Sequence, residues 1–91
     1  MAIIHVGENT KVSALATQIV NEVRQTGGAG LRAVGDGAVN QAVKAVATAR
    51  EVVESEGFSS VAVIIPQLAD VPLGHGCQIV VHLTVMDVLD L

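Results

Sequence analysis

The stretch LRAVGDGAVNQAVKAVATAR, residues 31–50, decides the fold because a strand, a turn and a helix follow one another within it. Leu31 to Val34 is short, apolar and flanked by glycines, which predicts a strand. Residues 35–37 then predict a tight turn into a helix running from Ala38 to Ser55. The face of this helix expected to be buried recurs at steps of three and four: Val39, Ala42, Val43, Val46, Ala47 and Val53.

Upstream of this stretch the sequence predicts one more strand and one more helix. Met1 to Val6 is apolar and β-branched, and Gly7 ends it. The helix that follows has Asn9 or Thr10 as its expected N-cap and the pair Gly27-Gly28 as its stop. Its expected buried face is Val12, Leu15, Ala16, Ile19, Val20 and Val23.

Downstream the sequence predicts two strands joined by a long connection. Val61 to Ile65 is a continuous apolar run, which predicts a strand buried on both faces. Residues 66–77 hold two prolines and two glycines and are expected to connect the two strands of a hairpin. The last strand begins at Gln78 and alternates. Its two faces are predicted as Ile79, Val81, Leu83 and Val85 on one side, and His82 and Thr84 on the other.

The predicted element order is therefore βαβαββ. Strand–helix–strand crossovers set their two strands parallel, and the final hairpin is antiparallel, so the sheet is expected to be mixed. We predict an α/β two-layer sandwich with four strands and both helices on one face. The 91 residues are expected to form a single domain over 1–91.

Composition limits the classes of function. Hydrophobic residues make up 51% of the chain but charged residues only 15%, so we expect a homo-oligomer, dimer or larger. The net charge of −4 excludes a broad basic face of the kind that packages nucleic acid. A single cysteine, no charged leader and no apolar run near 18 residues predict a cytoplasmic protein that does not contact a membrane.

No constellation of residues predicts catalysis. The carboxylates near the longer helix, Asp36, Glu51, Glu54 and Glu56, have no base or metal partner at a useful spacing, so we expect no enzyme. Gly35-x-Gly37-x-x-Asn40 has only part of a dinucleotide-binding pattern and favours a plain tight turn. Free N–H groups at the helix start would still attract an anion, with Asn40 and Gln41 as uncharged donors and Asp36 opposing.

Histidines and the cysteine are the candidate metal ligands. His75-x-Cys77 has no second dyad, so a structural zinc site is not expected, and no cofactor is expected. Weak or adventitious zinc binding has His5, His82 and His75 as its candidates. Strand alternation turns His5, Arg32 and His82 to the face without helices, where we expect one polar row. Such a row would become more basic as the pH falls below about 6.

Residues 35–50, GDGAVNQAVKAVATAR, closely resemble the signature of the stage V sporulation protein S family, with Asn-Gln-Ala-Val-Lys-Ala intact. The resemblance extends more weakly to residues 3–6 and 61–66. The family is similar in fold to the Alba superfamily of nucleic-acid-binding proteins, which also runs βαβαββ. It implies a small bacterial regulatory protein linked to sporulation. Three departures make the chain less positive: Asp36 replaces a small neutral residue in the glycine turn, and His5 and His82 stand where lysines are usual.

Two hypotheses of function follow. In the first, the chain is an Alba-like regulator that binds DNA or RNA weakly. Its binding residues would be Lys11, Arg32, Gly35, Gly37, Asn40, Gln41 and Lys44. In the second, it is a non-catalytic protein–protein interaction or oligomerisation module that uses the apolar, helix-free side of its sheet.

Overall fold

The computed structural model describes residues 3–71 and 74–87, with side chains except at positions 59, 69–71, 74–78 and 83–87. Six elements follow one another in the predicted order βαβαββ, which is confirmed. They are β1 (Ile3–Val6), α1 (Val12–Thr26), β2 (Ala29–Val34), α2 (Asp36–Ser55), β3 (Phe58–Val71) and β4 (Gly74–Asp87). Met1 and Ala2, which the sequence placed in the first strand, lie outside the described residues.

The four strands form one mixed sheet in the order β1-β2-β4-β3. β1 and β2 are parallel, and β4 is antiparallel to both of its neighbours, β2 and β3. A single core joins the inner faces of both helices to one face of the sheet. The predicted two-layer α/β sandwich is therefore confirmed, and β3 is an edge strand.

Helix α1 buries the face that periodicity predicted. Leu15, Ala16, Ile19 and Val20 are buried, and Val12 and Val23 pack against them. The predicted capping by Asn9 or Thr10 is wrong: Lys11 occupies the N-cap position, without a side-chain bond. The Thr10 hydroxyl instead accepts a hydrogen bond from the Gly7 N–H at 2.8 Å, and the helix begins one residue later than a cap at Thr10 would place it. Gly27 ends the helix at φ +86°, as predicted.

Helix α2 buries a face lined mainly by alanine. The predicted face is wrong at Val43 and Ala47, which are exposed, and right at Ala42, Val46 and Val53. The helix is rotated about its axis toward its alanines because small side chains allow it to approach α1 and the sheet closely. The buried residues are Ala38, Ala42, Ala45, Val46, Ala49 and Val53.

The C-terminal hairpin differs most from the sequence-based prediction. The expected connection over residues 66–77 is wrong, because pairing of β3 with β4 continues from Pro66 opposite Ile79 to Val71 opposite Gly74. Burial of β3 on both faces is also wrong: Val61, Val63 and Ile65 are exposed on the side away from the helices. β3 is an edge strand, and a proline is tolerated at an edge, so the strand continues through Pro66. The helices cover β3 on one side only, so its other side stays exposed.

The topology brings the starts of both helices to one end of the sheet. β1 and β2 are parallel neighbours, so the loops that leave their carboxyl ends lie side by side. α1 begins after the first loop and α2 after the second. Neither helix is long and apolar enough to cross a membrane, among the residues that the structure describes.

Candidate nucleic-acid interface

The glycine turn before α2 has the backbone geometry that only glycine readily adopts. Gly35 has φ +91° and ψ 159°, a conformation that places a side chain under strain. Gly37 has a different requirement: a Cβ there would lie 2.9 Å from the Cβ of Glu8. The two glycines therefore bend the chain into α2 and let the β1–α1 loop pack against the first turn of the helix.

Gln41 connects the two helix starts. Its Nε2 donates a hydrogen bond to the carbonyl oxygen of Thr10 at 2.9 Å. Lys11 follows Thr10, and Lys44 lies three residues after Gln41, on the same side of α2. Lys11 and Gln41 thus meet at one junction, with exposed Asn40 at its rim, and Lys44 lies one turn further along α2.

Carboxylates balance the cations at this junction. Asp36 stands in the first turn of α2, and Glu8 lies against Gly37 in the same turn. Both are well placed to stabilise the positive end of the helix dipole. Two negative charges at a helix start compete with an incoming phosphate, so the turn is a weaker anion site than its glycines alone would make it.

Arg32 lies away from this junction, on the side of the sheet that carries no helix. Its neighbours in β2, Leu31 and Ala33, are buried under the helices, so Arg32 points to the opposite side. We call that side the helix-free face. Its described side chains are Ile3, His5, Arg32, Val34, Val61, Val63, Ile65, Gln67, Val80 and His82. The structure therefore separates Arg32 from Lys11 and Lys44.

His5 and Arg32 form the polar part of the helix-free face on β1 and β2. They are register partners in the parallel pair, and Arg32 is half-buried. Its Nε atom is buried and has no hydrogen-bond partner among the residues described. Because this Nε atom is shielded from solvent, it is not itself a contact for an incoming anion.

The predicted row of His5, Arg32 and His82 is wrong. The residue of β4 opposite Arg32 is Gln78, whereas His82 lies opposite Val63 and against Gly28. Four residues along a strand correspond to about 13 Å, so His82 faces the same side but lies well away from the other two. Strand alternation fixes the face of a residue and leaves its register open.

The candidate metal ligands whose side chains the structure describes, His5 and His82, lie apart. Among the side chains that the structure describes, no three of His, Cys, Asp and Glu come close enough to hold a metal ion. His5 and His82 are separated as described above. The side chain of His75, which stands opposite Asp70 in the hairpin, lies outside the described side chains.

A cluster that the sequence analysis did not identify joins α2 to β3. Arg50 Nη2 donates to the Ser60 carbonyl at 3.0 Å and lies 3.5 Å from Glu54 Oε1. The buried Ser60 hydroxyl donates to the same carboxylate oxygen at 3.2 Å. The i,i+4 spacing of Arg50 and Glu54 could have predicted their ion pair from the sequence. No sequence pattern indicated Ser60, ten residues after Arg50, as their partner.

Arg24 is also engaged, in an ion pair with Glu56 that joins the C-terminal ends of the two helices. Of the five cations, two are thus paired with carboxylates. The other three, Lys11, Arg32 and Lys44, make no ion pair with a carboxylate of residues 3–71 or 74–87 whose side chain is described.

The comparison with known families agrees with the signature in α2. The family model described as Stage V sporulation protein S matches residues 2–87, nearly the whole chain. The chain belongs to the stage V sporulation protein S family.

Proposed function

We propose that this member of the stage V sporulation protein S family is a non-catalytic cytoplasmic regulator that binds nucleic acid weakly. The observation that carries the proposal is that Lys11, Arg32 and Lys44 are free of carboxylate partners in the described part of the chain. An unpaired cation can exchange its counterion for a phosphate without first breaking an internal ion pair.

Geometry supports contact with a phosphate backbone at the helix starts. Lys11 lies at the junction held by Gln41, and both helices direct their positive dipole ends there. Lys44 lies one turn further along α2, on the same side as Gln41. A backbone phosphate needs one or two cations and a few N–H donors, which this junction has. The binding would be independent of base sequence, because contacts between lysines and phosphates carry no information about the bases.

Charge limits the affinity of this site. The helices and their loops carry six carboxylates against four cations. These carboxylates are Glu8, Glu22, Asp36, Glu51, Glu54 and Glu56. We expect Kd no tighter than about micromolar at physiological salt, within the range of non-specific binding. Arg32, on the other side of the sheet, would contact a second segment of nucleic acid and not the same phosphates.

Fluorescence anisotropy with labelled single- and double-stranded DNA and RNA tests this proposal. At about 20 mM salt we expect binding that weakens steeply by 200 mM. The double variant Lys11→Ala, Lys44→Ala should lose at least tenfold in affinity. Arg24→Ala is the matched control, because Arg24 is already paired with Glu56. Binding that is insensitive to salt, or equal loss in the control, would contradict the proposal.

A second candidate function is favoured by a separate observation. The helix-free face exposes the hydrophobic side chains of Val61, Val63 and Ile65 in a row along β3, together with Ile3 and Val34. Exposed apolar surface of this kind marks interaction sites in soluble proteins. On this alternative the chain is a protein–protein interaction or oligomerisation module.

Neither function requires a cofactor. Both rest on surface charge and apolar contact, so we propose that no metal is resident. Any zinc retained at His5, His75 or His82 would be adventitious. Treatment with a chelator should therefore leave both nucleic-acid binding and self-association unchanged, and a loss of either would contradict this point.

A further inference from the structure

Pro66 shows which residues of β3 point their backbone N–H and C=O groups away from β4. In a strand the N–H and C=O of one residue point to the same side, and the next residue points to the opposite side. Pro66 is paired with Ile79 of β4 but has no N–H to donate, so its peptide groups face away from β4. Even-numbered residues of β3 therefore direct their backbone groups to the free edge of β3, away from β4.

The contact between Arg50 and Ser60 supports this direction independently. Ser60 is an even-numbered residue, and its carbonyl accepts a hydrogen bond from Arg50 Nη2 instead of from β4. On the opposite side of β4, the carbonyl of Val81 lies 3.2 Å from the position that a Cβ on Gly28 would take. Val81 therefore faces β2, as the same alternation requires.

The free edge of β3 is thus interrupted twice. Arg50, held by Glu54, covers the Ser60 carbonyl, and Pro66 offers no donor. Between these two points only Ala62 and Ile64 direct unpaired backbone groups outward. Prolines and inward-reaching charges are the devices by which natural sheets prevent edge-to-edge pairing. Addition of another strand at this edge is therefore disfavoured.

The helix-free face has no comparable protection. One register row crosses all four strands with apolar residues or glycine only: Ile3, Gly30, Val80 and Ile65. Val61 and Val63 extend this apolar surface along β3, and both are about half exposed, at 49% and 51%. Arg32, His5 and Gln67 lie in the neighbouring row and form a polar border.

The distribution of charges over the two sides of the sheet favours a second copy of the chain as the partner that binds the helix-free face. The face carries one constant charge, Arg32, and no carboxylate among its described side chains. The six carboxylates of the helices and loops lie on the other side of the molecule or at its ends. Two copies that meet through this face keep those like charges apart, and a charged partner would find little on the face to select it.

The area of the face is adequate for such contact. Two strands of fourteen residues and the shorter β1 and β2 beside them cover about 600 Å² in projection, from strand rise and spacing. A standard interface buries about 800 Å² of accessible surface on each partner, and accessible surface exceeds its projection. The face is therefore close to the size of a standard interface and too apolar to remain in water without a cost.

We propose that two copies of this chain dock through their helix-free faces, sheet against sheet, to give a four-layer α/β/β/α dimer. The dimer is two-fold symmetric, so each face meets an identical face and the assembly closes. Stacked sheets of this kind lie about 10 Å apart with interdigitated side chains. The proposal rests on the second candidate function, self-association, and specifies its surface and its partner.

Sedimentation velocity over about 1–200 µM, with four variants, tests the surface. Val63→Glu and Ile65→Glu place a charge within the apolar surface along β3 and should raise the dimer Kd at least tenfold. Val43→Glu is the matched control: Val43 is 48% exposed, nearly the same as Val63, but lies on α2. It should leave Kd unchanged. Ala62→Pro removes an outward N–H from the free edge and should also leave the dimer intact.

Each outcome has a separate meaning. A wild-type chain that stays monomeric throughout would overturn self-association itself, and with it the second candidate function. A dimer that survives Val63→Glu, or that Val43→Glu disrupts equally, would overturn only the choice of surface. Loss of the dimer in Ala62→Pro would show that the edge is the interface. If Val63→Glu fails to fold by circular dichroism, Val63→Thr should still weaken the dimer about threefold or more.

Discussion

The two faces of the sheet use similar residues and differ in what covers them. On the helix-covered face, Leu31 and Val81 have no exposed surface and lie against an alanine-lined α2. On the helix-free face, Val63 and Ile65 are as apolar but about half exposed. Hydrophobic residues on a strand therefore predict that its face is buried. They do not show whether the surface that buries it belongs to the same chain or to another one.

The largest expected effect tests this difference with one chemical change at two places. Val81→Ala should lower the free energy of unfolding by about 2 kcal/mol, because it removes two buried methyl groups and leaves a cavity under the helices. Val63→Ala should lower it by less than about 1 kcal/mol in the monomer. Urea denaturation at a low micromolar protein concentration measures both. Equal losses would mean that the two faces are equally covered.

A smaller effect is expected at the boundary between the faces. Arg50→Ala leaves the Ser60 carbonyl without its partner and should cost about 1 kcal/mol, reduced by the partial exposure of the guanidinium. Arg24→Ala, which breaks an ion pair whose guanidinium is more exposed, should cost less. The more specific expectation for Arg50→Ala is slow aggregation, since the edge of β3 is opened. Dynamic light scattering over days should show it for Arg50→Ala and not for Arg24→Ala.

Much of the fold followed from local pattern, because periodicity and alternation are local properties. The faces of α1 and of β1, β2 and the described part of β4 were predicted from them. Pro66 was misinterpreted as a strand breaker because its tolerance depends on its being at an edge, which the order of strands decides. Val43 was misplaced since valine is more hydrophobic than alanine, whereas close packing of α2 selected the smaller residue.

The candidate site was less predictable than the fold for a related reason. The glycine turn, Gln41 and Lys44 were identified by sequence, but the position of Glu8 over Gly37 depends on a loop 29 residues earlier in the chain. The offset of His82 from Arg32 depends on the pairing register of β2 with β4, which no single strand contains. Charge balance at the helix starts is thus a tertiary property.

Light scattering of the unmodified protein tests the central claim, that the helix-free face is covered by a second copy. The chain has a mass of 9.3 kDa. Multi-angle measurement on a size-exclusion column should give about twice that mass at 100 µM and an average mass that decreases on dilution. A mass of 9.3 kDa at every concentration would contradict the account, because the apolar face would then remain in water.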